Sequence, residues 1–144
     1  MKHALAIPAI ALAFSSCMHD QAGTATNDIQ WADGDSGVLN GEGFQLAFVD
    51  SPEIGEAGSQ DGAKCPQERA HGLVAKAFME ALTATAQLEV TERLGTDPQG
   101  RTVIRLSADG ADVSATAIAA GHMAEWPFEN GRPAAPKPDW CPAD

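Results

Sequence analysis

The chain has 144 residues, with 20 acidic against 9 basic side chains and a formal charge of −11. That length supports a single hydrophobic core and excludes two. The acidity excludes tight, metal-free capture of a long polyanion, which takes a basic face, and is otherwise ordinary for an exported soluble protein.

Lys2 and His3 lead into an apolar run over residues 4–14, followed by Ser15-Ser16-Cys17. This is the pattern of a secretory signal over residues 1–17, and the run is too short to cross a bilayer as a helix. Small residues ahead of Cys17 fit lipid attachment there, while Phe14 stands where a lipobox usually has leucine. Both lipoprotein processing and ordinary cleavage stay open, and the expected location is exported: periplasmic, anchored to the outer envelope, or extracellular. Residues 18–28, rich in alanine, glycine and threonine, read as a flexible tether.

Residues 29–32 have the character of a short strand. Residues 36–39, the turn Asn40-Gly41-Glu42-Gly43 and residues 44–49 read as a hairpin. Alternation in its second strand puts Phe44, Leu46 and Phe48 on one face and Gln45, Ala47 and Val49 on the other. A Gly- and Glu-rich loop over 54–63 precedes a helix from about Pro66, whose stripe Leu73, Val74, Ala77, Phe78, Ala81 and Leu82 is expected to face the core. Strands follow over 87–93 and 102–107, with a loop at 95–100 between them. Ala108-Asp109-Gly110 is a turn, and residues 113–120 form a short helix ending at Gly121. Residues 123–128 should pack back on the domain, and the proline-rich stretch 129–144 is an extended tail. Short strands, one hairpin and a helix between the third and fourth strands predict an α+β domain over 29–128, a small five-stranded barrel capped by helices.

Once Cys17 is lipidated or removed, Cys65 and Cys141 remain as a pair in an oxidising compartment, and a disulfide between them is expected. It would close a loop of nearly eighty residues and contribute about 4 kcal/mol by constraining the unfolded chain. A zinc site joining these cysteines to His71 and His122 matches no usual ligand spacing. His71 reads as an ordinary residue of a helix face and His122 as a surface residue.

Three acidic clusters carry the chemistry: Asp33-Gly34-Asp35-Ser36, Val49-Asp50-Ser51-Pro52-Glu53 and Asp97-Pro98-Gln99-Gly100-Arg101. Asp35, Asp50 and Glu53 offer hard oxygen donors to a divalent cation, and Arg101 offers a fork for phosphate. Singly, each cluster is an ordinary turn. Together, with an apolar strand running into Asp50, they resemble the staphylococcal nuclease-like (thermonuclease) family, whose signature reads D-G-D-T, I/V-D-T/A-P-E and D-R-Y-G-R. The closing Lys137-Pro138-Asp139-Trp140-Cys141 resembles the tail of exported bacterial members.

The resemblance implies an OB-fold over residues 29–128 and a Ca²⁺-dependent nuclease cutting DNA or RNA with little sequence preference. It implies a Ca²⁺ held by Asp35, Asp50 and the carbonyl of Ser51, with waters completing the shell as calcium allows. Asp35 and Asp50 are expected at opposite ends of the hairpin, which antiparallel pairing would bring together. Glu53 would orient or deprotonate the attacking water, and Arg101 would pair with phosphate oxygens as charge builds. Arg105, about 13 Å further along its strand, could reach the next phosphate. Nucleic acid is the expected partner, as substrate; no stable protein partner is implied, and a monomer is expected. The chain departs from the family at Gln45, where an arginine is usual; a neutral donor in place of a preorganised charged one typically costs about 10²–10³ in turnover. Pro98 and Gln99 replace the basic residue and the tyrosine of the third motif. These departures motivate the alternative of a catalytically degenerate envelope or binding module that keeps the fold.

Overall fold

The computed structural model of the protein describes residues 28–143, so the expected signal segment 1–17, the lipidation candidate Cys17 and nearly all of the tether 18–28 lie outside the described residues. The chain reverses over residues 32–35 and again at Asn40-Gly41, the latter pair in left-handed backbone with φ of 51° and 84°. A two-residue hairpin turn demands that conformation, and Asn-Gly suits it best. The turn is thus shorter than expected, and Glu42 and Gly43 belong to the strand. Around it lie β1 (Ile29–Trp31), β2 (Ser36–Leu39) and β3 (Glu42–Leu46), paired antiparallel in that order.

β3 stops at Leu46, short of the expected Val49. The Ala47 N–H donates to Ile104 O, and Phe48 takes a φ of 60°. This break resets the alternation, so Val49 is buried and Phe48 is 36 % exposed, the reverse of the faces expected from a continuous strand. β4 (Val49–Asp50) pairs instead with β8 (Ala124–Glu125), which brings the segment after the second helix back to the domain.

The long strands β5 (Leu88–Thr96) and β6 (Thr102–Ala108) complete a sheet ordered β1-β2-β3-β6-β5, with β7 (Ala111–Asp112) appended to β6. β6 runs parallel to β3 and antiparallel to β5, so the sheet is mixed. With α1 (Pro66–Thr83) and α2 (Val113–Ala119) the architecture is α+β. The expected five-stranded barrel is not closed: among the described residues no ladder joins β5 to β1. β1 offers three residues to such a seam, while β5 shifts register twice against β6 and is mostly exposed. Closure needs a consistent stagger around the ring. At the start of the expected extended tail, β9 (Phe128–Glu129), which straddles its boundary, and β10 (Arg132–Pro133) form a small hairpin.

The core gathers Trp31, Phe44, Leu46, Met79, Ile104 and Leu106 between the sheet and the helices. α1 lays Gly72, Ala75, Met79 and Thr83 on it, leaving Leu73 and Val74 at 46 % and 54 % exposure. The helix is therefore turned from the expected stripe: Phe78 and Leu82 still pack against the core, while Leu73, Val74, Ala77 and Ala81 are exposed. Close approach is the reason: a Cβ on Gly72 would sit 2.6 Å from Pro52 O and 2.7 Å from Glu53 O. Only glycine lets α1 press against the segment 51–54. The far end of the helix is pinned by the Trp31 indole N–H, which donates to Thr83 Oγ1 at 3.0 Å, while the Thr83 hydroxyl donates to Met79 O at 2.7 Å.

Candidate functional site

Asp33 makes the first turn. Its Oδ1 accepts from the N–H groups of Asp35 and Ser36 at 3.1 and 2.7 Å and from the Ser36 hydroxyl at 2.9 Å, the local bonding that favours aspartate in turns. Gly34 lets this turn touch the next motif, because a Cβ there would lie 2.7 Å from Ser51 Cβ. Asp35 is thereby aimed at the V-D-S-P-E segment, and its Oδ2 accepts the Ser51 N–H at 2.9 Å. Asp35, Asp50 and Ser51 are all buried. They meet although Asp50 lies on β4 rather than at the end of the hairpin. The contact comes from the β3–β4 break and from Gly34.

Burial raises the Asp35 carboxyl well above the usual carboxylate range, helped by the charges of Asp33 and Asp50 and opposed by the Ser51 N–H. Burial also raises Asp50, against the lowering effects of Trp140 and Lys137. A dication would relieve the crowding of two buried carboxylates. The two carboxylates are hard oxygen donors of the kind calcium takes, so the chemistry of Asp35 and Asp50 suits the ion the resemblance implies. Among the described residues no group of three or more His, Cys, Asp or Glu side chains forms a cluster able to hold a metal. The implied set has two carboxylates and a carbonyl.

Glu53 is held from behind by Glu68, which sequence reasoning missed. Glu68 is 2 % exposed; its Oε1 accepts the Glu53 N–H at 3.3 Å and its Oε2 the Lys64 N–H at 2.6 Å. Its position follows from the start of α1, where Cys65 is the extended N-cap and Pro66 opens the helix. The spacing Cys65-x-x-Glu68 ahead of an apolar helix has the form of a capping box and was the available signal.

Two further residues, Lys137 and Trp140, belong to the closing motif already noted, but nothing in it pointed to these carboxylates. The Lys137 ammonium lies 2.5 Å from Glu53 Oε1 and 3.3 Å from Asp50 Oδ1, and the Trp140 indole donates to Asp50 Oδ2 at 2.8 Å. Burial opposes the charge on Lys137, but its pairing with Glu53 and Asp50 outweighs that and raises its pKa. Both residues are delivered by the Cys65–Cys141 disulfide, whose Cα atoms are 6.1 Å apart. With the cysteines so joined they are not metal ligands. His71 sits on α1 with Nε2 2.9 Å from Gly121 O, and its ring meets Trp140 edge-on.

The two arginines expected at the site bond to other acidic residues. Arg101 Nε donates to Asp97 Oδ2 at 2.7 Å, and Asp97 Oδ1 accepts the Arg101 N–H at 2.9 Å. Burial would raise Asp97, but its bonds with Arg101 hold it below the ordinary value. Arg105 Nε donates to Glu92 at 3.0 Å, and its guanidinium lies 5.2 Å from the centre of the Phe48 ring. Gln45 pairs across the sheet with Ser36 on one side and Val103 on the other, with its amide 3.5 Å from Leu46 O. The structure thus gathers Asp35, Asp50, Ser51 and Glu53, and leaves Arg101 and Arg105 bonded to acidic neighbours of their own. No protein-family model matches the sequence, and no curated protein matches it at a significant level.

Proposed function

We propose that the protein is an exported, Ca²⁺-dependent nuclease of the staphylococcal nuclease-like kind, acting on DNA or RNA with little sequence preference. The observation that carries this reading is the meeting of two acidic motifs from distant turns, through Asp35 Oδ2 and the Ser51 N–H at 2.9 Å. The strand path, with one parallel joint and an unpaired seam, is compatible with the partly open five-stranded barrel of an OB-fold. Asp35, Asp50 and the Ser51 carbonyl would hold the calcium, which when bound supplies positive charge beside a phosphate oxygen. Glu53, fixed through its own N–H by Glu68, would orient the attacking water and take its proton. Arg101 would turn from Asp97 to the phosphate, adding a charged fork as negative charge builds.

The test is incubation of the purified protein with denatured DNA, with calcium or with a chelator. Calcium-dependent cleavage that is lost in Glu53→Ala supports the reading. Intact DNA under every condition, or cleavage indifferent to Glu53, defeats it. The degenerate binding module is the second reading, favoured by the neutral Gln45 and by the engagement of Arg101 with Asp97 and of Glu53 with Lys137. Calcium that raises Tm while DNA stays intact would favour it.

A further inference from the structure

Segment 137–141 occupies the carboxylates on which the proposed chemistry depends. Both oxygens of Asp50 are engaged, one by the Trp140 indole at 2.8 Å and the other by the Lys137 ammonium at 3.3 Å. The same ammonium bridges to Glu53 Oε1 at 2.5 Å. One lysine therefore neutralises a proposed metal ligand and the proposed base together. Lysine suits this role, being a compact point charge on a flexible stem.

The attachment of the segment is also unusual. The segment's last main-chain tie to the body of the protein before the disulfide is just upstream, where the Ala135 carbonyl accepts the Trp126 indole N–H at 3.0 Å; past it, among the described residues, no backbone–backbone hydrogen bond joins the segment to the body. Pro136, Pro138 and Pro142 have no N–H to give. What holds it is side-chain contact and one covalent link: Lys137 and Trp140 on the carboxylates, the edge-on contact of Trp140 with His71, Lys137 over the Trp126 ring at 5.9 Å, an exposed Lys64–Asp139 pair at 3.9 Å, and the Cys65–Cys141 bridge. That bridge lands on the N-cap of α1, three residues from Glu68. The Lys137 side chain is 36 % exposed, so its departure into water needs no opening of the core.

We propose that segment 137–141 is an autoinhibitory strap in which Lys137 serves as a built-in counter-cation. It keeps a dication off Asp50 and ties up Glu53 until it is displaced. The proposal rests on the nuclease reading for its consequence, while its geometry is independent of catalysis. Dication and ammonium compete for the same oxygens, so calcium is both ligand and release signal. Reduction of the bridge loosens the strap by a second route. A dithiol such as dithiothreitol gives two electrons and two protons to the disulfide, yielding two thiols and its own cyclic disulfide.

The experiment uses the oxidised full chain, Lys137→Gln and the dithiothreitol-reduced chain. Calcium chloride alone is titrated by calorimetry, and acetylation of Lys137 by an active ester is followed by mass spectrometry. Lys137→Gln should bind calcium about fivefold tighter than the native chain, as expected for removal of a partly exposed ion pair, and reduction should shift affinity in the same direction. In the oxidised chain Lys137 should acetylate more slowly than the exposed Lys64, and calcium should abolish the difference. A gain in affinity cannot be mimicked by a variant that fails to fold. Equal or weaker calcium binding by Lys137→Gln, or a Lys137 as reactive as Lys64 without calcium, overturns the strap. Tighter calcium binding by Lys137→Gln with no DNA cleavage by any form defeats the nuclease reading and leaves the strap standing. No calcium binding by any form overturns both.

Discussion

Replacing Glu68 by alanine tests how the segment carrying Glu53 is held. Glu68 is 2 % exposed and accepts two main-chain N–H groups, from Lys64 at 2.6 Å and from Glu53 at 3.3 Å. A hydrogen bond to a charged group contributes roughly 1.5–3 kcal/mol. The longer bond to Glu53 and the partly buried setting put both near the lower end, about 3 kcal/mol together. A carboxylate in the first turn of α1 adds about 0.5 kcal/mol through the helix dipole. The expected loss is thus about 3–4 kcal/mol, and at about 4 °C per kcal/mol for a domain of this size Tm should fall by about 12–16 °C. Glu68→Gln keeps one acceptor oxygen and should lose about half as much. Thermal and urea denaturation of the oxidised, calcium-free protein, followed by circular dichroism, measures both. Glu68→Ala within about 1 kcal/mol of native, or Glu68→Gln as damaging as Glu68→Ala, would refute the account of Glu68 as a shared acceptor.

Asp35→Asn should stabilise the calcium-free protein at neutral pH. Burial, then the charges of Asp33 and Asp50, raise the folded-state value of Asp35 above the ordinary 3.8, so the folded state binds the proton more tightly than the unfolded chain. Its contribution is full below the ordinary value and is lost as pH climbs through the raised one. The advantage of Asp35→Asn should therefore grow from about pH 4 to pH 8 in urea titrations with chelator, and a variant less stable at every pH contradicts it. Gly72→Ala should destabilise by about 2 kcal/mol, because overpacking against Pro52 O and Glu53 O outweighs the usual helix gain of about 1 kcal/mol. A raised urea midpoint in that variant would show that α1 does not rest on the segment 51–54.

What the sequence revealed was local, and what it hid was long-range. Asn40-Gly41 and the acidic turns are written in a few adjacent residues, so the hairpin and the D-G-D turn could be read directly. The break at Ala47-Phe48 could not, because residues 44–49 alternate like an unbroken strand and the left-handed φ of Phe48 is set by pairing of Ala47 with Ile104. The face of α1 is only partly legible for a related reason: Phe78 and Leu82 pack on the core as their spacing predicts, but Leu73 and Val74 do not. Hydrophobic periodicity follows the large residues Leu73 and Val74, whereas contact with the segment 51–54 selects the smallest, Gly72. Cys65 and Cys141 pointed to a tied tail, but nothing in Lys137 or Trp140 said that the tie would end on Asp50 and Glu53.

Charge counting shows what the site still requires of its arginines. Asp33, Asp35, Asp50 and Glu53 carry a formal −4 when ionised, and Lys137 brings the patch to −3. A dication in place of Lys137 gives −2, and both together give −1. With all four carboxylates ionised the patch is negative in each of these states, so it can position a cation and a water but does not by itself draw in a phosphodiester. The attraction has to come from the neighbouring loop and strand, where Arg101 and Arg105 are already paired with Asp97 and Glu92. Gln45 lies between the two halves, opposite Ser36 beside the carboxylates and opposite Val103 between the arginines. A guanidinium at that position would join cation site to phosphate fork. A neutral amide leaves them separate, so on the proposed reading substrate capture rests on Arg101 leaving Asp97.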